Sequence, residues 1–440
     1  MEKNTMTDPE IVIRDAYLAD RDSTQDIAIR GDRIRTIADT IGDEGVTEID
    51  ADGNIVAPGF VDSHIHMDQA FSAEGERYPK FNDQGGDRDE ITTRALKYYD
   101  NTTWDEVEDR AVRLGKLAAS KGSLYMRTHV NIMEEIGLDS LEAMLSARDR
   151  LEDIINVEII LLTTNGVLND GEAEDLVNEG LRLGGDVVGG TDPASMNNDV
   201  EQTIDTWLDI AAKHDAEVDA HIHDPSTLGM YVMNRLAEKT IEHGYEGNVT
   251  ASHAYGLAGV SGKTKGDLSE PGFRDGDLKV FKGGDLEEVI PTFKESGLKF
   301  VSCHPGSRPG MPIPQFQNEG IPMAWGSDNI QDFVNRHTKP SALQGSLVNA
   351  FKLDYNLYSF ATNQGLEYLW NMVTEDGAKV FDIEDEYGIE EGNPANLVVL
   401  DALSPQWAII NQADREYVIK DGDVIVEDNE IVPEKDPLAT

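Results

Sequence analysis

The stretch Pro58-Gly59-Phe60-Val61-Asp62-Ser63-His64-Ile65-His66 is the most telling in this chain. Side chains on a β-strand alternate between its two faces. As a strand, Val61, Ser63 and Ile65 take one face, and Asp62, His64 and His66 take the other. Neutral imidazole is the commonest side-chain ligand for zinc and similar metals. A His-x-His pair alone is weak evidence. It gains force from three residues at the ends of later candidate strands: His221, then His253, then Asp328.

Around this segment, buried strands are predicted at 59–66, 123–131, 157–166, 186–192, 217–223, 247–254, 298–304 and 320–328, with helical patterns between them. Leu141, Met144, Leu145, Leu151, Ile154 and Ile155 form one apolar stripe, with Asp139 or Ser140 as its cap. Ile204, Trp207, Leu208 and Ala211 form another. Eight strand–helix units over about 320 residues fit a (β/α)8 TIM barrel, an α/β fold whose active sites lie at the C-terminal ends of the strands. In the fifth strand, Val218, Ala220 and Ile222 suit the helix-facing side, and Asp219, His221 and His223 suit the interior.

The two ends of the chain read differently. Ile11–Tyr17, and Asp26–Ile34 around a Gly31-Asp32 turn, alternate like short strands. So do Asn396–Asp401 and Tyr417–Val426. The expected organisation is residues 1–57 and 386–440 forming one small β-sandwich domain, with the barrel between them at 58–385.

Composition narrows the classes. The chain has 440 residues and one cysteine, Cys303, which excludes a disulfide framework. Its formal charge is −47, from 84 acidic and 37 basic residues spread along the chain. That fits a solvated acidic shell, as in halophilic proteins working in molar salt, where the Debye length is about 3 Å. It argues against nucleic acid as a partner. No apolar run reaches the ~18 residues of a membrane span, and the first residues lack a signal-peptide pattern. The expectation is a soluble cytoplasmic protein.

The candidate site comes from strand placement. His64, His66, His221 and Asp328 suit one divalent ion, zinc or iron(II), that keeps an open position for water. His253 is either a fifth ligand or a donor to the metal-bound water. Asp224 is placed to move a proton from that water to the substrate; the alternative is a loop aspartate before Pro225. His223 orients Asp224, touches substrate, or is structural. His129, His304 and Cys303 are candidates to line the pocket, with His129 favoured as a support behind the ligands and Cys303 as inert packing. Strand four ends in Gly189-Gly190-Thr191-Asp192-Pro193, without a lysine to bridge two metals, so a mononuclear site is expected.

These residues, with Ile13–Tyr17, Gly31–Ile34, Gly75-Glu76-Arg77, Arg127-Thr128-His129-Val130, Ser252-His253-Ala254, Ser327-Asp328-Asn329-Ile330 and Leu403–Ile410, resemble the amidohydrolase superfamily. The likeness is to its mononuclear, cytosine deaminase-like branch, and within that to the subgroup acting on N-isopropylammelide. The resemblance implies His64, His66, His221 and Asp328 as ligands and His253 beside the attacking hydroxide. It implies a small heterocyclic substrate, a pyrimidine or s-triazine such as cytosine or N-isopropylammelide, and a homo-oligomer. Three departures stand out: Asp224 where cytosine deaminases carry Glu, Thr164 where a strand-three Gln reads the substrate amide, and Asn131 where an Asp is usual. The expected reaction replaces an amino or alkylamino group by a carbonyl. Asp224 carries a proton to the ring nitrogen, His253 steadies the oxyanion, and Asp328 delivers the second proton. The alternatives are a cyclic amide or lactam hydrolase on the same barrel, and a non-catalytic metal-binding protein.

Overall fold

Phe60–Ile65 (β1) is buried at every position and opens a parallel eight-stranded sheet. The computed structural model describes residues 9–74, 88–257, 286–303, 311–334, 338–357 and 362–438. The sheet continues with Ser123–Ile132 (β2), Asn156–Thr163 (β3), Val187–Thr191 (β4), Glu217–His221 (β5), Val249–Ser252 (β6), Lys299–Cys303 (β7) and Met323–Gly326 (β8), each paired with its predecessor in sequence order. The ring closes where the Asp328 amide donates to the His64 carbonyl (2.8 Å) and the His66 amide to the Asp328 carbonyl (3.4 Å). Helices cover the outside, so the chain is a (β/α)8 barrel.

Every expected strand is present, but several ladders stop early. The sequence predicts strands over 157–166, 217–223, 247–254 and 320–328, whereas the continuous ladders end at Thr163, His221, Ser252 and Gly326, with Asp328 making one isolated bridge back to Ile65. The shortening has one cause at two of the site positions. His253 and Asp328 have φ of 64° and 63°, in the left-handed region that turns a chain out of a strand. The helix at Asp139–Leu151 also departs from expectation. Leu138 is its N-cap, without a side-chain bond, and Ile154 and Ile155 lie past its end. Ser140 does not cap because its hydroxyl is bonded to the Asp68 carboxylate (3.2 Å). The helix Val200–His214 buries Ile204, Trp207, Leu208 and Ala211 as its stripe requires.

Both chain ends build sheets. Ile11–Leu18, Ser23–Arg30, Arg33–Ala38 and Thr47–Asp50 form a four-stranded sheet. Val56–Pro58 instead pairs antiparallel with Leu397–Leu400, which continues through Arg415–Lys420, Asp423–Glu427 and Glu430–Ile431. The two sheets share an apolar layer that includes Ile13, Ile27, Ile29, Val56, Leu397, Val399 and Ile419. Since Val56–Pro58 runs directly into β1, this layer anchors the strand that carries His64.

The barrel floor is ionic. Arg127 on β2 is fully buried and bonds Glu158 on β3 and Glu217 on β5; Lys299 on β7 also reaches Glu217 (3.1 Å). Two cations meet two part-buried carboxylates here, and stripping fully buried Arg127 of its partners would cost up to about 3–5 kcal/mol. Among the described residues, no helix is long and apolar enough to cross a membrane.

Candidate active site

Six of the chain's ten histidines cluster toward the C-terminal end of the barrel: His64, His66, His129, His221, His223 and His253. Strand alternation accounts for their convergence. β1 turns Asp62 and His64 inward, with His66 just past its end; β2 turns Arg127, His129 and Asn131 inward; β5 turns in Asp219 and His221.

The His66 Nε2 atom lies 3.5 Å from Asp328 Oδ1 and 3.5 Å from His221 Nε2, and His64 Nε2 lies 3.9 Å from the same carboxylate oxygen. Ligands about 2.0–2.1 Å from one tetrahedral ion stand about 3.4 Å apart, so the separations suit a shared cation. His64, His66 and Asp328 form one compact donor group, and His64, His221 and His253 form another. The pairing of His64 with both leaves His253 open to either reading made from the sequence.

Electrostatics favour the ligand form of these rings. Burial, and then the neighbouring imidazoles, hold His64 and His221 well below the ordinary histidine range; burial and His223 lower His66 to about 3. A neutral ring keeps a lone pair for a metal. Burial, then Asp332 and Asp62, pushes the Asp328 carboxyl well up. Both ring nitrogens of His64 are buried and accept or donate no hydrogen bond among the described residues. Such a group costs about 1–3 kcal/mol unless something engages it. A divalent ion fits this donor set.

Other groups support the ring of histidines. His129 is fully buried behind His64, its ring 3.9 Å from the His64 ring and its Nε2 3.9 Å from Asp219. That position is behind the ligands rather than at the mouth. Asp219 accepts from the Ser252 hydroxyl (2.6 Å), and burial raises its carboxyl to about 7 against the pull of Arg127. Asp62 accepts from the Ser327 amide (2.9 Å), tying β1 to the segment that carries Asp328. Burial raises Asp62 to about 7 as well.

At the mouth, Asp192 holds His223. One oxygen accepts from the His223 amide (2.5 Å) and the other meets its Nδ1 (3.0 Å), while the His223 ring lies 4.1 Å from that of His253. Asp224 is buried just before the helix Ser226–Glu242. Its carbonyl is packed so closely on Gly229 that a Cβ there would lie 2.0 Å away, so the first turn of that helix fixes Asp224. Thr164 is half-buried beyond the end of β3 and bonds Asn131 (2.6 Å). Cys303 is buried, and burial raises its thiol well up, which suits inert packing. His304 lies outside the described residues.

Comparison with known proteins places this geometry. A profile of the amidohydrolase family matches residues 47–155 and 158–426. The chain belongs to the amidohydrolase family. It is 41% identical over 425 residues to the N-isopropylammelide isopropyl amidohydrolase of Pseudomonas sp. (strain ADP), covering 97% of this chain and 99% of that protein. Among solved structures, N-isopropylammelide isopropylaminohydrolase from Burkholderia multivorans superposes with a TM-score of 0.82 at 23% identity, over 96% of this chain and 99% of that one. The 5-methylcytosine deaminase of Klebsiella pneumoniae gives 0.78 at 24%, over 94% and 98%. As a member of this family the chain is a hydrolase, and the resemblance read from its motifs is borne out.

Sequence reasoning places Asp219 on the inward face with His221 but gives no role to Asp68 or Asp192. Asp192 carried a usable signal, since it follows a barrel strand directly, as His66 does. The pairing of Asp68 with Asn131 across 63 positions carried none.

Proposed function

We propose that this amidohydrolase holds one divalent ion, zinc or iron(II), on His64, His66, His221 and Asp328, and releases an amine or ammonia from a nitrogen heterocycle. The single observation that supports it most is the convergence of those four donors at 3.5–3.9 Å on one barrel mouth. The ion would supply Lewis-acid polarisation and an acidified water, whose pKa falls to about 7 on such centres. The 41% relative, named for N-isopropylammelide, points to an s-triazine or pyrimidine ring as substrate.

This chain's residues then have distinct tasks. Asp224 takes a proton at its carboxylate and delivers it to the ring nitrogen beside the attacked carbon. His253 donates to the oxygen on which negative charge develops. His223, held by Asp192 through Nδ1, presents its Nε2 edge beside His253. Asp328, a ligand that neighbours the open position, passes the second proton to the leaving amine. His129 and Asp219 orient the His64 ring from behind. Thr164 contacts the substrate from just past the end of β3. The acidic surface fits work in molar salt inside the cytoplasm, and a homo-oligomer fits the family likeness.

The test is amine and ammonia release from cytosine, isocytosine, ammelide and N-isopropylammelide by zinc- and iron-loaded protein in molar KCl, with bound metal counted. Release from one ring with about one metal per chain is expected. A new carboxylate without amine would instead establish the lactam hydrolase, and a chain that binds no metal would sink the reading.

A further inference from the structure

We infer that Thr164 reads its substrate only as a hydrogen-bond acceptor, so the bound heterocycle must turn an N–H, not a ring carbonyl, toward β3. This rests on the proposed function for the site itself. Asp68 is a buried carboxylate away from the ligand cluster. One of its oxygens, Oδ2, is surrounded by four donors: the Tyr99 hydroxyl (2.8 Å), the Asn131 amide N–H (3.0 Å), the Asn131 side-chain Nδ2 (2.7 Å) and the Ser140 hydroxyl (3.2 Å). That crowd of donors fixes which way the Asn131 side chain points. Turned over, its Oδ1 would face the Asp68 oxygen, two acceptors without a proton between them.

With Nδ2 committed to Asp68, Asn131 Oδ1 faces away, and the Thr164 hydroxyl lies 2.6 Å from it. Among the described residues, its other hydrogen-bond acceptor is the Leu162 carbonyl at 3.4 Å. Both neighbours are oxygens without hydrogens. A hydroxyl has one proton, and either partner takes it. What Thr164 has left for a ligand is lone pairs.

The barrel places those lone pairs at the mouth. Leu161 packs outward, since a Cβ on the helix residue Gly180 would lie 2.8 Å from it. Ile160 and Leu162 therefore point inward, and Thr164, in the turn that follows the strand, is held on that side by its bond to Asn131. Asn131, opposite Leu162 in register, is two residues beyond inward-facing His129. Asp68 and Asn131 are thus positioning residues for a specificity contact made by Thr164. An amide side chain at this position could donate or accept. Threonine held this way selects one polarity, and a ring carbonyl aimed at it would meet lone pairs.

The test uses the metal-loaded full chain in molar KCl. Calorimetry measures binding of ring lactams and of analogues in which one ring N–H is replaced by oxygen. In wild type, one such replacement should weaken binding about tenfold, the scale of one lost neutral hydrogen bond facing a lone pair. In Thr164→Val that penalty should fall toward onefold, and Thr164→Ser should keep it. With a turned-over ring, Thr164→Val should raise KM about tenfold with kcat and bound metal little changed. An N–H-to-oxygen penalty of equal size in wild type and Thr164→Val overturns the inference, as does an unchanged KM in Thr164→Val. Because binding is read without turnover, absence of amine release would overturn only the functional reading on which the inference rests.

Discussion

Asp328 closes the barrel on His64: its backbone amide donates to the His64 carbonyl at 2.8 Å, while its carboxylate stands 3.9 Å from the His64 imidazole. The joint between the first and last strands and the candidate metal centre are therefore the same few atoms. Gly326 makes the joint possible. A Cβ there would lie 2.4 Å from the His64 Cβ and 2.9 Å from its backbone oxygen, so no rotamer change relieves the clash. Gly326→Ala should cost about 1–3 kcal/mol, the usual range for overpacking, and should lower bound metal at the same time. Thermal unfolding and metal analysis of the purified variant check this. Full metal occupancy with a lowered melting temperature would separate the joint from the site.

Ligand and proton carrier should fail in different ways. His221→Ala removes a donor 3.5 Å from His66 Nε2 and should lose metal and activity together. Asp224→Asn keeps the shape and removes the proton acceptor, so metal stays bound while kcat falls by about 10²–10⁴-fold, the range for general acid–base groups. Metal stoichiometry beside steady-state rates distinguishes the two. An Asp224→Asn enzyme with near wild-type turnover would remove Asp224 from the mechanism.

The barrel and its donor order were legible in the sequence because period-two alternation survives in short buried strands. Asp62, His64 and His66 share a parity, and so do Asp219, His221 and His223, so one rule placed most of the site's donors. What stayed hidden depends on partners distant in sequence. Arg127 bonds Glu217 from 90 positions away, and nothing local to Arg127 announces a buried cation. The Ser140 hydroxyl reads as a helix cap until Asp68, 72 residues earlier, is seen to bind it. Strand ends were overextended too. The strand patterning runs on through Asp328 and His253, but their positive φ interrupts the regular strand there.

The terminal sheet offers a pH test away from the active site. Asp26 is partly desolvated, which alone would raise its carboxyl, yet the Ile41 amide (2.9 Å), Arg14 guanidinium (2.9 Å) and Asp15 amide (3.1 Å) bring it below the ordinary range. A carboxyl lowered by folding stabilises the native state above its unfolded pKa of about 3.9. That contribution is lost as pH falls through the lower, folded value. Asp26→Asn should therefore be less stable than wild type at pH 6, with the gap narrowing as pH drops toward 3. Urea midpoints for both proteins over that range, at fixed high KCl, check the sign. A gap that widens on acidification would mean the Arg14 contact does not govern this carboxyl.

Salt should control stability more strongly than any single contact. With 84 acidic against 37 basic residues, negative charge exceeds positive by 47 along the chain. Several ion pairs that do form are exposed, such as Arg182 with Glu179, each 53% accessible, and such pairs contribute about 0–1 kcal/mol. Screening therefore removes more repulsion than attraction. The Debye length falls from about 10 Å at 0.1 M to about 3 Å at 1 M, below the spacing of neighbouring surface charges. The urea midpoint should rise steeply between 0.1 and 1 M KCl and flatten beyond. The pairs that fully buried Arg127 makes with part-buried Glu158 and Glu217 are screened less than surface pairs and should persist throughout. A midpoint that is flat from 0.1 M upward would show that the acidic shell does not oppose folding, and would remove the reason to link this surface to a molar-salt habitat.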